Sequence, residues 1–182
     1  MNTAMAPRVF NHLFNGSLIN KTLHESGMKV ANPMFNEVFT NLEAYQQQYR
    51  LLGYELVMAG ESYFIRELGE VDQFRDVSMK VQVLFEVLAR GVTQIPLHVS
   101  ALFDVKAGVS RPELQAMMDD EVGDILKACE MKGSLEQEVT NILVGRGIAF
   151  WNEKDALVLT EGGAYLFDTL FGQSELDVST AE

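Results

Sequence analysis

The sequence predicts a mostly helical α+β protein in which helices lead twice into a short β-hairpin. Three observations carry this expectation. First, Ser134 and Gln137 have capping-box spacing, and Leu135, Val139, Ile142 and Leu143 follow as one apolar stripe of a helix. Second, residues 148–151 and 156–160 are apolar runs around the polar loop Asn152-Glu153-Lys154-Asp155, which predicts a hairpin. Third, residues 54–58 and 62–66 repeat that arrangement around Ala59-Gly60-Glu61, after a long aromatic helix. A helix running into a short hairpin is the second half of a winged helix. Two winged-helix domains in tandem therefore account for most of the chain.

In chain order, Val9, Phe10, Leu13 and Phe14 predict a short apolar helix interrupted at Gly16. Leu18, Ile19, Thr22 and Leu23 predict a second helical turn ending at Gly27. Asn32-Pro33 pairs a side-chain cap with a proline at the first helical position. Phe35, Val38, Phe39, Leu42, Tyr45, Tyr49 and Leu52 then recur every three or four residues, which predicts one long helix ending near Gly53. The acidic, glycine-containing stretch 68–73 places the boundary between domains 1–70 and 71–182. Beyond it, Val77, Val81, Leu84 and Leu88 predict a helix over 74–90, and Leu97, Ala101 and Leu102 one helical insert after Pro96. Ser110 with Glu113 opens a helix to about Met118, and residues 119–132 predict another. Gly145 and Gly147 end the helix begun at Ser134, and Thr160 caps a last helix bearing Ala164, Phe167 and Leu170.

Composition excludes several classes. No uninterrupted apolar run is long enough to span a membrane, and residues 1–10 lack the apolar core of a secretory signal. The one cysteine, Cys129, allows no intrachain disulfide, which fits a cytoplasmic protein. With 14 Lys and Arg against 26 Asp and Glu, the formal net charge is −12. That balance argues against tight autonomous DNA binding and suits docking on a basic partner.

No motif points to catalysis, and none calls for a cofactor. Asp119, Asp120, Glu121 and Asp124 lack the alternation and central glycine of a calcium loop and read as a solvated helix end. His12, His24 and His98 are scattered singly, without the spacing of a zinc site. Cys129, flanked by Lys127 and Lys132, reads as a buried, inert thiol. Gly145-Arg146-Gly147 resembles part of a phosphate loop but follows a helix rather than a strand, so it reads as a helix stop. A winged helix reads DNA with its last helix, and phosphate contacts need lysine and arginine. Here that helix carries Glu136 and Glu138 and no cation before Arg146, so the candidate DNA contacts reduce to Arg50, Lys132, Arg146 and Lys154.

The chain resembles the MukE/MksE family, small accessory subunits of bacterial condensin-like SMC complexes. The resemblance is carried by Asn11-His12-Leu13-Phe14, Tyr45 and Tyr49, Tyr54-Glu55-Leu56-Val57 and Tyr63-Phe64-Ile65-Arg66. It continues through Pro112-Glu113-Leu114, Val139, Leu143, Gly147-Ile148-Ala149-Phe150-Trp151 and Leu157-Val158-Leu159-Thr160-Glu161. It implies tandem winged helices, a homodimer, and binding to the kleisin that bridges the SMC ATPase heads. It further implies no catalysis by this subunit, a nucleoid-associated location, and a role in chromosome segregation and condensation or in plasmid defence. The acidic last recognition helix and the short chain place it nearer MksE than MukE. Two other readings compete. A winged-helix transcription regulator would require a basic recognition helix, and a metal-dependent hydrolase would require Asp119, Asp120 and Asp124 to converge.

Overall fold

The computed structural model describes residues 2–25, 28–69 and 75–178. It is a mixed assembly of helices and small antiparallel sheets. The N-terminal half opens with α1 (Ala6–Phe14), whose Val9 and Leu13 are buried. Three short strands follow: β1 (Ile19–Asn20), β2 (Thr22–Glu25) and β3 (Met28–Ala31). The helical turn expected over 18–23 is thus a strand and a hairpin arm. β1 pairs with a strand more than forty residues later, Ile19 opposite Tyr63 and Asn20 opposite Ser62, and that long-range ladder overrides the local spacing. Gly27 lies outside the described residues.

Asn32 caps α2 (Pro33–Thr40) as expected, its side-chain oxygen accepting from the Met34 N–H at 3.0 Å. The single long helix is broken at Asn41, however, and resumes as α3 (Leu42–Leu51). The Asn41 backbone leaves helical geometry at φ −119°. Its amide bonds the Glu37 carbonyl (3.0 Å) and carboxylate (3.2 Å), offering the chain a local alternative to helix. Phe35, Val38, Tyr45 and Tyr49 all stay in the core across the break, while Phe39 is left 62% exposed. The hairpin then forms as β4 (Tyr54–Ala59) and β5 (Ser62–Glu67), turning at Gly60 with φ +56°.

The C-terminal half begins with α4 (Arg75–Gln94), whose Leu84, Phe85 and Leu88 are fully buried. The insert after Pro96 is a 3₁₀ turn (Val99–Phe103). β6 (Val109–Ser110) leads into α5 (Arg111–Ala116), where the Glu113 carboxylate accepts from both the Ser110 N–H and hydroxyl at 2.7 Å. Asp119 caps α6 (Asp120–Ala128). Ser134 and Gln137 exchange reciprocal capping bonds to start α7 (Leu135–Glu138), which widens into a π-helix (Val139–Val144). The hairpin strands β7 (Ala149–Trp151) and β8 (Ala156–Leu159) follow, and α8 (Glu161–Val178) closes the description.

Both halves therefore run strand, helices, hairpin, and both three-stranded sheets have the same order: first strand, last strand, middle strand (β1-β5-β4 and β6-β8-β7). Each half has its own core. Tyr45, Tyr49, Tyr54 and Tyr63 dominate the first, and Leu, Val and Met side chains the second. Leu18 and, less buried, Phe64 cross over: both belong to the N-terminal half and pack against the C-terminal core.

Candidate functional site

The halves meet along a polar seam between β1 and the turn before β7. The Leu18 N–H donates to the Arg146 carbonyl (2.8 Å), and the Asn20 side-chain amide donates to the Gly147 carbonyl (2.7 Å). The Asn20 side-chain oxygen accepts from the buried Ser62 hydroxyl (2.6 Å), and its main-chain carbonyl accepts from the Asn32 amide (2.7 Å). A second strut joins the Glu61 N–H to the Glu161 carboxylate (3.2 Å). Glycine is required where backbones close in. Gly147 has φ +70°, and a Cβ on Gly162 would lie 2.7 Å from Ser62.

Beside this seam, the His24 ring stacks on Phe150, centroids 3.5 Å apart and planes inclined 15°. Partial burial, then the nearby Lys29 charge, lowers the His24 pKa below its ordinary 6.5. Two adjoining cavities open here, of roughly 300 Å³ and 490 Å³, sharing His24, Lys29, Val105 and Phe150. The larger continues past Lys106 to Trp151 and the 152–154 loop.

Arg111 anchors that loop from behind. Its guanidinium makes two bonds to Asp155 (2.6 and 3.0 Å), a further bond to Glu136, and lies 4.2 Å from the Trp151 ring centroid. These partners raise the Arg111 pKa further, Asp155 contributing first, and the same pair holds the Asp155 carboxyl below its usual range.

The four cations singled out in the sequence sit on four separate elements. Arg50 is exposed in the last turn of α3, beside Glu43, Glu55 and three glutamine or aromatic neighbours. Lys132 is exposed in the loop before α7. Arg146 is half-buried, and its Nε has no hydrogen-bond partner among the described residues. Lys154 folds back, Nζ donating to the Lys106 carbonyl at 2.9 Å. No common face joins these positions in sequence or element, and only Lys154 lines the seam cavities.

The acidic cluster is dispersed. Asp119 accepts from the Val122 N–H (2.8 Å), Glu121 takes Arg90 in a bidentate pair at 2.7 Å, and Asp124 faces Lys127 at 3.3 Å. Among the described residues no three His, Cys, Asp or Glu side chains converge to hold a metal. Cys129 is half-buried against the second core, and among the described residues no helix is long and apolar enough to cross a membrane. Sequence reasoning missed Asn20, Lys29 and Lys106 and read His24 only as a lone histidine. Asn20, His24 and Lys29 are close in the chain, and it is Lys106 and Phe150 that come to them from far away. The one available signal was Gly145-Arg146-Gly147, read as a helix stop; of its two glycines, Gly147 also makes the close approach to Leu18 and Asn20 at the seam.

A family model described as condensin complex protein MksE matches residues 5–170 of the chain. No curated protein matches it.

Proposed function

The chain belongs to the MksE family of condensin complex proteins, and we propose that it serves such a complex as a non-enzymatic, kleisin-binding subunit. The observation that carries this reading is the family match over nearly the whole chain. The two halves support it by their shared strand order, β1-β5-β4 and β6-β8-β7, which is that of a winged helix, so the chain reads as winged-helix domains over 1–70 and 71–182. On this reading the kleisin connects the subunit to the SMC ATPase, and the protein acts in the cytoplasm on the nucleoid. Exposed Phe10, Leu51 and Leu52, the last two 81% and 52% accessible, supply an apolar patch on the N-terminal half for a homodimer.

Direct reading of DNA gains little support. The last helix before the second wing offers Glu136 and Glu138, with Glu136 held by Arg111, and the candidate cations Arg50, Lys132, Arg146 and Lys154 are scattered. The regulator reading lacks the basic helix it requires. The test is purification of the tagged full chain from its host. Recovery of a kleisin and an SMC subunit, with a dimeric mass by light scattering, is the expected result. Nanomolar, salt-sensitive binding to one duplex DNA with no kleisin recovered would overturn it.

A further inference from the structure

We propose that a cavity between the two cores binds a small uncharged amphiphile, a molecule with an apolar body and a single hydroxyl or carbonyl group. The inference goes beyond the proposed function and does not rest on it.

The walls are the first observation. The cavity encloses roughly 450 Å³, within the range of small-molecule sites, and is distinct from the two beside the seam. Leu13 and Ile65 bring the first core to it, and Leu18, Val81 and Ile148 bring the second. None of these five is more than 8% exposed. Leu166 of α8, half-buried, adds to the same lining. The polar side chains Arg66, Ser78, Gln82 and Thr169 are exposed, so the mouth is polar and the interior apolar.

The second observation is Ser17, which lines this cavity at 7% exposure. Among the described residues three polar side chains are buried: Ser17, Asn32 and Ser62. The Ser62 hydroxyl donates to Asn20, and the Asn32 amide donates to the Asn20 carbonyl. The Ser17 N–H donates to the His12 carbonyl at 3.3 Å, but its hydroxyl bonds no group among the described residues. A buried hydroxyl left unmet is costly, and a ligand group that meets it recovers that cost. A water is a poor substitute, because it needs about two to four polar partners and the walls around Ser17 are apolar. Charge sets the class of ligand. The one cation among the described lining residues, Arg66, already donates to Glu55 at 3.0 Å, and Glu67 adds a carboxylate to the lining. An anionic head finds no free cation there, and a charge of either sign carried in beside Ser17 would be buried uncompensated. The ligand that fits fills the space between the cores with apolar surface and offers Ser17 one neutral polar group.

The test is calorimetric titration of the full chain with para-propylphenol, propylbenzene and para-propylbenzoate. The phenol should bind saturably, one per chain, with a negative heat-capacity change, and more tightly than the other two. Ser17→Ala removes the hydroxyl and no hydrogen bond, so its urea midpoint should not fall. It should weaken the phenol by about three- to tenfold and leave propylbenzene unchanged, whereas a general loosening of the fold would weaken both. Val81→Phe fills the cavity from α4 and should abolish binding of both, and Leu166→Phe does the same from α8 where the first variant fails to fold. Absence of saturable binding, equal loss of phenol and propylbenzene in Ser17→Ala, or para-propylbenzoate held as tightly as the phenol would overturn the proposal. Undiminished binding by a folded, cavity-filled variant would overturn it as well.

Discussion

Gly163→Ala is the sharpest test of how the last helix is seated. Gly163 lies in the first turn of α8, its N–H donating to the Thr160 hydroxyl at 3.1 Å. A Cβ there would stand 1.9 Å from the Ile148 carbonyl oxygen and 3.0 Å from its carbon. Unstrained carbon–oxygen contacts begin near ~3.3 Å, so the overlap exceeds about 1 Å. The oxygen cannot simply turn aside, because it already accepts from the Thr160 N–H (3.0 Å) and hydroxyl (3.1 Å). Intrinsic propensity favours alanine by about 0.8–1.0 kcal/mol inside a helix. Forcing a backbone shift costs about 1–3 kcal/mol, and a clash with main chain belongs at the upper end. The clash wins, leaving a net loss of about 2 kcal/mol. For a chain of this size that lowers Tm by about 4–8 °C. Gly123→Ala is the control. It is the same substitution within α6, where a Cβ meets nothing within 4 Å, so stability should rise by up to about 1 kcal/mol. Thermal unfolding followed by circular dichroism reads both. Equal shifts in the two variants, or a Gly163→Ala protein as stable as the parent, would refute the reasoning.

Arg111→Ala removes two exposed ion pairs and a cation–π contact, together about 1–2 kcal/mol, and should lower the urea midpoint accordingly. Because Trp151 is the only tryptophan, its emission should shift in the folded variant, and Arg111→Lys should recover less than half the loss, lacking the fork that grips Asp155. His24→Phe keeps the ring on Phe150 and removes its titration. The His24 pKa is lower folded than unfolded, so the unfolded chain takes up more protons and wild-type stability falls as pH drops through 6.5 toward the folded value. The variant should lose less stability than wild type over that window, and parallel pH profiles would exclude His24 as a source of the drop.

Much of the fold was legible because its signals are local. Asn32-Pro33, Ser110 with Glu113, and Ser134 with Gln137 each name a helix start from side chains within three residues, and each cap forms. The hairpins were readable from apolar runs around short polar turns. What stayed hidden depends on distant residues. Ile19 is apolar at a spacing that suits a helix, and only Tyr63 across the ladder makes it a strand. Asn41 looks like an ordinary polar position on a long amphipathic helix until its amide competes for the Glu37 carbonyl. The candidate site was the least legible part. Charge counting along the chain singled out Lys154, in the loop between β7 and β8, as a candidate DNA contact but could not see that Lys29 and Lys106 come to stand beside it.

The construction of the seam decides how a ligand between the cores would act. The halves are joined by hydrogen bonds from Leu18 and Asn20 to carbonyls beside Gly147, and by the close passage of Gly162 against Ser62. Such contacts are short-ranged. A separation of one or two ångströms breaks the bonds from the Leu18 N–H and the Asn20 amide to the Arg146 and Gly147 carbonyls, at about 1–3 kcal/mol for each buried group left unsatisfied, while the Ser62–Asn20 bond stays within the N-terminal half. The cavity between the cores takes Leu13, Ser17 and Ile65 from one half and Val81, Ile148 and Leu166 from the other, so it keeps its shape only while the seam is closed. A ligand bound there favours the closed seam by the same free energy with which closure favours binding. Opening the seam should therefore weaken binding even where no cavity residue is touched. Asn20→Ala is the variant that separates this coupling from direct contact, because Asn20 does not line that cavity. It should weaken para-propylphenol and propylbenzene by the same factor, since the Ser17 hydroxyl and the apolar walls remain. A loss confined to the phenol would mean that Asn20 acts by repositioning Ser17, and the coupling argument would fail.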